Sequence, residues 1–140
     1  MELRIPGPTP VPPEVLQAGA QQMINHRGKE FAEIIQRVTA RLQKFFCTKN
    51  DLYVLTCSGT GAMEATIVNT LSPGDKVLAV TIGEFGERFT DIAKAFGAEI
   101  IPLKYEHGLP ADPDDIRKAV RSQSGIKAVM ITHNETSTGV

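Results

Sequence analysis

The chain has 140 residues, enough for one hydrophobic core, and its 41% apolar and 22% charged composition is that of an ordinary globular domain. A net charge of −1, with acids and bases interspersed, excludes the basic patch of a nucleic-acid binder and the polybasic anchor of a membrane-surface protein. No apolar run approaches the ~20 residues of a bilayer span and no signal-peptide pattern opens the chain. Two cysteines, Cys47 and Cys57, are too few for a disulfide framework or a zinc site, so reduced thiols in a cytoplasmic protein are expected.

The opening "MELRIPGPTPVPPEV" is proline-rich and should be extended. A short helical pattern runs from Glu14 to about Ile24. Phe31, Ile34, Ile35, Val38, Leu42, Phe45 and Phe46 then fall at the spacing of one helical face, which predicts a helix packed on a core. "DLYVLTC" is a first β-prone run, with Cys57 as its last buried residue, and "SGTGAMEATIVNTL" is a Gly-rich turn into a helix. "KVLAVTI" is a second strand. "GEFGERFTDIAKAFG" is a turn and helix with Phe85, Phe89, Ile92, Ala93 and Phe96 on one face and Gly97 placed to end it. "AEIIPL" is a third strand. "ADPDDIRKAV" starts a helix with Asp112 as N-cap, Pro113 in the first turn, and Asp114 and Asp115 at the positive end of the dipole. "KAVMIT" is a fourth strand. This alternation predicts the α/β class, a mostly parallel sheet flanked by helices, with apolar strands buried on both faces.

Ligands of such sheets bind beyond the carboxyl ends of the strands, and three loops there carry distinctive residues. "CSGTGAMEA" lets a helix start where Gly59 and Gly61 allow a close turn; its free N–H groups and the hydroxyls of Ser58 and Thr60 suit a phosphate. It is neither a dinucleotide fingerprint nor a Walker A loop, and a plain Gly-rich turn with a hydroxyl cap is the bland alternative. In "GEFGER" an aromatic between two glycines could lie flat on a planar ligand, although taken alone Phe85 is better read as the start of the apolar face of its helix. "THNETSTG" lines up donors and acceptors from His133 to Thr138, with too few partners for a metal and no nucleophile elbow. Together the loops describe a phosphate seat, an aromatic lid and a hydroxyl-rich wall. Pyridoxal phosphate has that shape.

The set "PGPTPVPPEV", "INHRGKEF", "SGTGAMEA", "NTLSPGDKVL", "GEFGERF", "LPADPDDI" and "THNETSTGV" resembles the class V aminotransferases of the pyridoxal-phosphate fold-type I enzymes. The nearest likeness is to the alanine–glyoxylate, serine–glyoxylate and serine–pyruvate aminotransferase group, over essentially the whole chain. The resemblance implies that Ser58, Gly59 and Thr60 bind the cofactor phosphate and that Phe85 stacks on the pyridine ring. It implies that Thr136 bonds near the ring's phenolic oxygen and that Gly7 lies near the substrate carboxylate. Arg27, of the pair His26 and Arg27, would approach the active site of a neighbouring subunit in a homodimer; read without the resemblance, it is a solvated residue between two helices. Residues 1–28 would be an N-terminal arm and short helix, and residues 29–140 an incomplete large, cofactor-binding domain.

The family's catalytic lysine, and the aspartate that pairs with the pyridine nitrogen, come after the "STGV" segment. Lys49, Lys76, Lys104 and Lys127 sit in front of or within the expected strands or at a turn, so no catalytic residue is assigned here. The resemblance thus implies the N-terminal part of an aminotransferase moving an amino group from alanine or serine to glyoxylate or pyruvate, inactive without its remainder. It also implies that the first β-prone run pairs with strands supplied later, leaving a gap in the sheet. The competing reading is a non-enzymatic α/β partner or regulatory module that keeps only an anion site.

Overall fold

The computed structural model describes Leu3, Ile5 and residues 7–140, and the chain divides into two compact units, residues 1–56 and 57–140. The N-terminal unit holds α1 (Pro13–Gly19) and α2 (Lys29–Phe45). Helix α1 starts on a proline at its first turn and stops at Gly19, short of the expected Ile24. Glycine is a poor helix former and so short a helix has little cooperative support. Helix α2 forms where the apolar stripe predicts it, but none of its residues is buried, and Phe45 is 78% exposed. Phe31, Ile34, Val38 and Leu42 of the stripe are half-buried, and among the described residues of this unit the one other helix, α1, has no buried residue to complete a core with them.

"DLYVLTC" is not a strand, and Tyr53, Val54 and Leu55 are 82, 66 and 52% exposed. Cys57 is exposed as well, not the buried end of a strand. An extended run becomes a strand only when a neighbour completes its ladder, and among the described residues none does.

The C-terminal unit contains α3 (Gly59–Thr70), β1 (Lys76–Thr81), α4 (Glu84–Ala95), β2 (Glu99–Lys104), α5 (Pro113–Ser122) and β3 (Ile126–Ile131). The strands make a parallel three-stranded sheet in the order β2-β1-β3. The α/β reading therefore holds, with three strands in place of four. Alternation along the central strand sends Val77 and Ala79 into a core with Ile67 of α3, Ala93 of α4 and Met130 of β3, while Leu78 and Val80 are buried on its other face. Burial on both faces is confined to β1. The flanking β2 and β3 are largely half-buried or exposed, as edges of a small sheet must be.

Two helix ends follow their sequence signals closely. Gly97 adopts φ +85°, where a Cβ is disfavoured, and turns the chain out of α4. The Asp112 carboxylate accepts the Asp114 amide at 2.8 Å and caps α5. Replacing Asp112 by alanine should lower stability by about 1 kcal/mol, read as a shift of the urea midpoint; an unchanged midpoint would show that the cap contributes nothing. Among the described residues no helix is long and apolar enough to cross a membrane.

Candidate functional site

Strands β1 and β3 run side by side, with Val80 opposite Ile131, so the loops leaving their carboxyl ends meet. At that meeting point Glu135 is only 1% exposed. One carboxylate oxygen accepts the Phe85 amide at 3.3 Å, the Ser137 amide at 3.1 Å and the Ser137 hydroxyl at 2.6 Å. The other accepts the Gly86 amide at 3.0 Å. Ser137 Oγ in turn accepts the Glu84 amide at 3.0 Å. The first amides of α4, which a helix leaves without partners, are therefore met by residues about fifty positions further along the chain. Burial pushes the Glu135 carboxyl up, but the Ser137 hydroxyl and the Gly86, Ser137 and Phe85 amides outweigh it and hold the group below its ordinary range.

The glycines of "GEFG" answer to this arrangement. A Cβ on Gly83 would stand 2.5 Å from Glu135 Cγ and 2.7 Å from Ser137 Oγ, and one on Gly86 would stand 3.2 Å from Thr81 Cα of β1. One glycine makes room for the carboxylate and the other lets α4 close onto the sheet. Phe85, between them, is half-buried and lies outside the core cluster, so it does not simply begin the helix's apolar face. The Arg88 guanidinium lies 4.9 Å over its ring and places Nη1 3.5 Å from Thr60 Oγ1. Arg88 thus joins the start of α4 to the start of α3.

Ser58 occupies the N-cap position of α3 in an extended conformation, but its side chain makes no capping bond and no acid lies in the first turn. Gly61 is needed because a Cβ there would stand 2.8 Å from Cys57 Cβ. Helices α4 and α5 begin under carboxylates, from Glu135 and Asp112, whereas α3 begins under none. The anion-binding capacity of a helix start is left open at Ser58, Gly59 and Thr60. Thr136 is exposed on the rim beside Glu135, in a shallow recess shared with Asn134, Gly139 and Val140.

Five sequence-nominated residues, Ser58, Gly59, Thr60, Phe85 and Thr136, therefore belong to one group of loops. Gly7 and Arg27 belong to the N-terminal unit, where both are exposed and the Arg27 amide bonds Asn25 Oδ1 at 3.0 Å in a tight turn. One lysine needs correction: Lys104 is the last residue of β2 and so does stand at a strand's carboxyl end, 3.7 Å from Glu87. Exposed and paired with that carboxylate, it remains unassigned. Sequence reasoning counted Glu135 and Ser137 only among the donors and acceptors of the wall, and gave no role to Arg88. Arg88 had a signal, its i+3 spacing from Phe85; a glutamate capping a distant helix has none.

The family model of the class-V aminotransferases matches residues 3–140. The chain is 47% identical over 137 residues to an uncharacterized aminotransferase of Methanocaldococcus jannaschii, covering 98% of this chain and 36% of that one. It is 38% identical over 141 residues to serine–glyoxylate aminotransferase of Methylorubrum extorquens, covering 99% and 35%. The crystal structure of ureidoglycine–glyoxylate aminotransferase from Bacillus subtilis superposes with a TM-score of 0.91 at 32% identity, covering 96% of this chain and 35% of that one. The chain thus spans about a third of the length of the relatives it matches. With sequence and fold agreeing along almost all of its residues, the chain belongs to the class-V aminotransferase family.

Proposed function

We propose that these residues are the N-terminal part of a pyridoxal-phosphate-dependent aminotransferase that takes an amino group from alanine or serine and gives it to glyoxylate or pyruvate, working as a cytoplasmic homodimer. The observation that carries the cofactor assignment is the uncapped start of α3 beside the Arg88–Phe85 pair, where α4 and α5 have carboxylates at theirs.

The residues present fit the cofactor. The α3 amides and the Ser58 and Thr60 hydroxyls would hold the phosphate. Phe85 would lie against the ring, offering the face that Arg88 leaves free. Thr136 would bond the phenolic oxygen, Gly7 would lie near the substrate carboxylate, and Arg27 would approach the active site of the neighbouring subunit. Bound there, pyridoxal phosphate supplies an aldehyde that joins to amines and a ring that takes up electrons from the substrate's alpha carbon. Residues 1–140 bind and orient on this reading. The amine that joins to the cofactor and moves the proton lies outside them, and residues 1–140 alone are expected to have no activity.

Borohydride reduction of the purified protein with pyridoxal phosphate, followed by peptide mapping, tests the proposal. In the full-length enzyme one labelled lysine is expected, outside residues 1–140, whereas residues 1–140 alone should be labelled nowhere or weakly at several lysines. A full-length protein with label scattered weakly over surface lysines, or absent, would favour a non-enzymatic module instead. The double variant S58A/T60A should weaken cofactor binding by about tenfold to a hundredfold, from the loss of two hydrogen bonds to a charged group.

A further inference from the structure

The Glu135 carboxylate takes no part in the chemistry proposed above, yet it is the most elaborately satisfied buried charge among the described residues. Four donors converge on it, two from α4 and two from Ser137. The cap on α5 is a different device: Asp112 bonds an amide two residues away at the surface, and removing it touches one helix. The Glu135 cap instead spans two loops. One bears Phe85, whose own amide is a donor to it; the other bears Thr136, the next residue in the chain. The turn that follows is closed on the same residue, since the Glu135 carbonyl accepts the Gly139 amide at 2.9 Å and its amide donates to Val140 at 2.6 Å. Side chain and backbone of one residue thus fix the first turn of α4 and the Thr136 loop with respect to each other.

We infer that Glu135 is a positioning residue for the ring side of the cofactor site: its buried carboxylate, braced by Ser137, holds Phe85 and Thr136 in mutual register without touching the ligand. The inference rests on the cofactor assignment above. It separates the site into two parts. The ring wall, Phe85 and Thr136, is referred to Glu135. The phosphate seat at Ser58, Gly59 and Thr60 is built on α3, which makes no hydrogen bond to Glu135. The carboxylate also occupies the α4 start that would otherwise compete for an anion, leaving α3 to receive it.

The division is testable on the purified protein with two probes, pyridoxal phosphate and inorganic phosphate, together with the visible circular dichroism of the bound cofactor. Glu135→Gln keeps the shape and removes the charge. It should weaken pyridoxal phosphate by about tenfold and reduce the dichroism, while inorganic phosphate binding stays within about twofold. Ser137→Ala retains the charge and removes one brace; a loss of about threefold in the same direction is expected, and it decides the matter alone where Glu135→Gln does not fold. Asp112→Ala, a cap of the local kind, should lower stability and leave both affinities unchanged. Pyridoxal phosphate binding as tightly to Glu135→Gln as to the wild type overturns the inference and leaves the cofactor site standing. So does a parallel loss of inorganic phosphate, the mark of a general collapse. A wild-type protein that binds no pyridoxal phosphate removes the proposed function, and the inference with it.

Discussion

Glu135→Ala should destabilise the protein by about 3–5 kcal/mol, the cost of leaving several buried donors without an acceptor. Truncation strands the Phe85 and Gly86 amides and both donors of Ser137. Water cannot easily replace the carboxylate, because Glu135 is 1% exposed and Gly83 and Gly86 are themselves buried. The acid dependence follows from the sign of the shift. The folded carboxyl titrates below its ordinary value of 4.5, so its contribution is fully present above that value and is lost as pH falls through the folded one. The urea midpoint of the wild type should therefore drop in acid more steeply than that of Glu135→Gln, which has no such proton to take up. Parallel curves for the two proteins would mean that the ionised carboxylate is not what holds α4 to the loop.

The elements of the C-terminal unit were legible because their signals are local. Asp112, Pro113 and Gly97 mark helix ends through their own backbone and side-chain chemistry, and the structure uses all three. The β-prone runs at Lys76, Glu99 and Ile126 became strands because each found a parallel neighbour. "DLYVLTC" carried the same signal and, among the described residues, found no such neighbour, since pairing is a property of two segments and not of one. The stripe of α2 shows the same limit: periodicity says which face is apolar, not what will cover it.

The candidate site divides in a similar way. Ser58, Gly59 and Thr60 could be nominated because a Gly-rich turn into a helix has one geometry, and Phe85 because an aromatic beside a strand end is conspicuous. The reason for the glycines around Phe85 was not visible. They were read only as the residues flanking an aromatic, and a Cβ on either would meet Glu135, Ser137 or Thr81. Nothing in the sequence pairs Glu135 with an amide fifty residues earlier, because the two meet only once β1 and β3 lie side by side.

Gly83→Ala tests that meeting from the other side, and should cost about 3 kcal/mol or more, overpacking added to a disturbed cap. The backbone is not the obstacle. Gly83 sits at φ 175° and ψ −170°, extended values open to alanine, so the penalty comes from contact alone. The new methyl would stand 2.5 Å from Glu135 Cγ, 2.7 Å from Cδ and 2.7 Å from Ser137 Oγ, and those atoms cannot retreat without releasing the α4 amides. Gly59→Ala is the comparison: a Cβ there meets nothing within 4 Å, and its effect on stability should be under about 1 kcal/mol. A double-mutant cycle then isolates the contact. In the Glu135→Ala background the vacated volume accepts the methyl, so Gly83→Ala should cost about 2 kcal/mol less than it does in the wild type. Additive losses would show that the glycine is needed for some reason other than the carboxylate. A coupling of the expected size would make Gly83 and Glu135 two halves of one device, which binds the start of a helix to a loop that the chain reaches only at its far end.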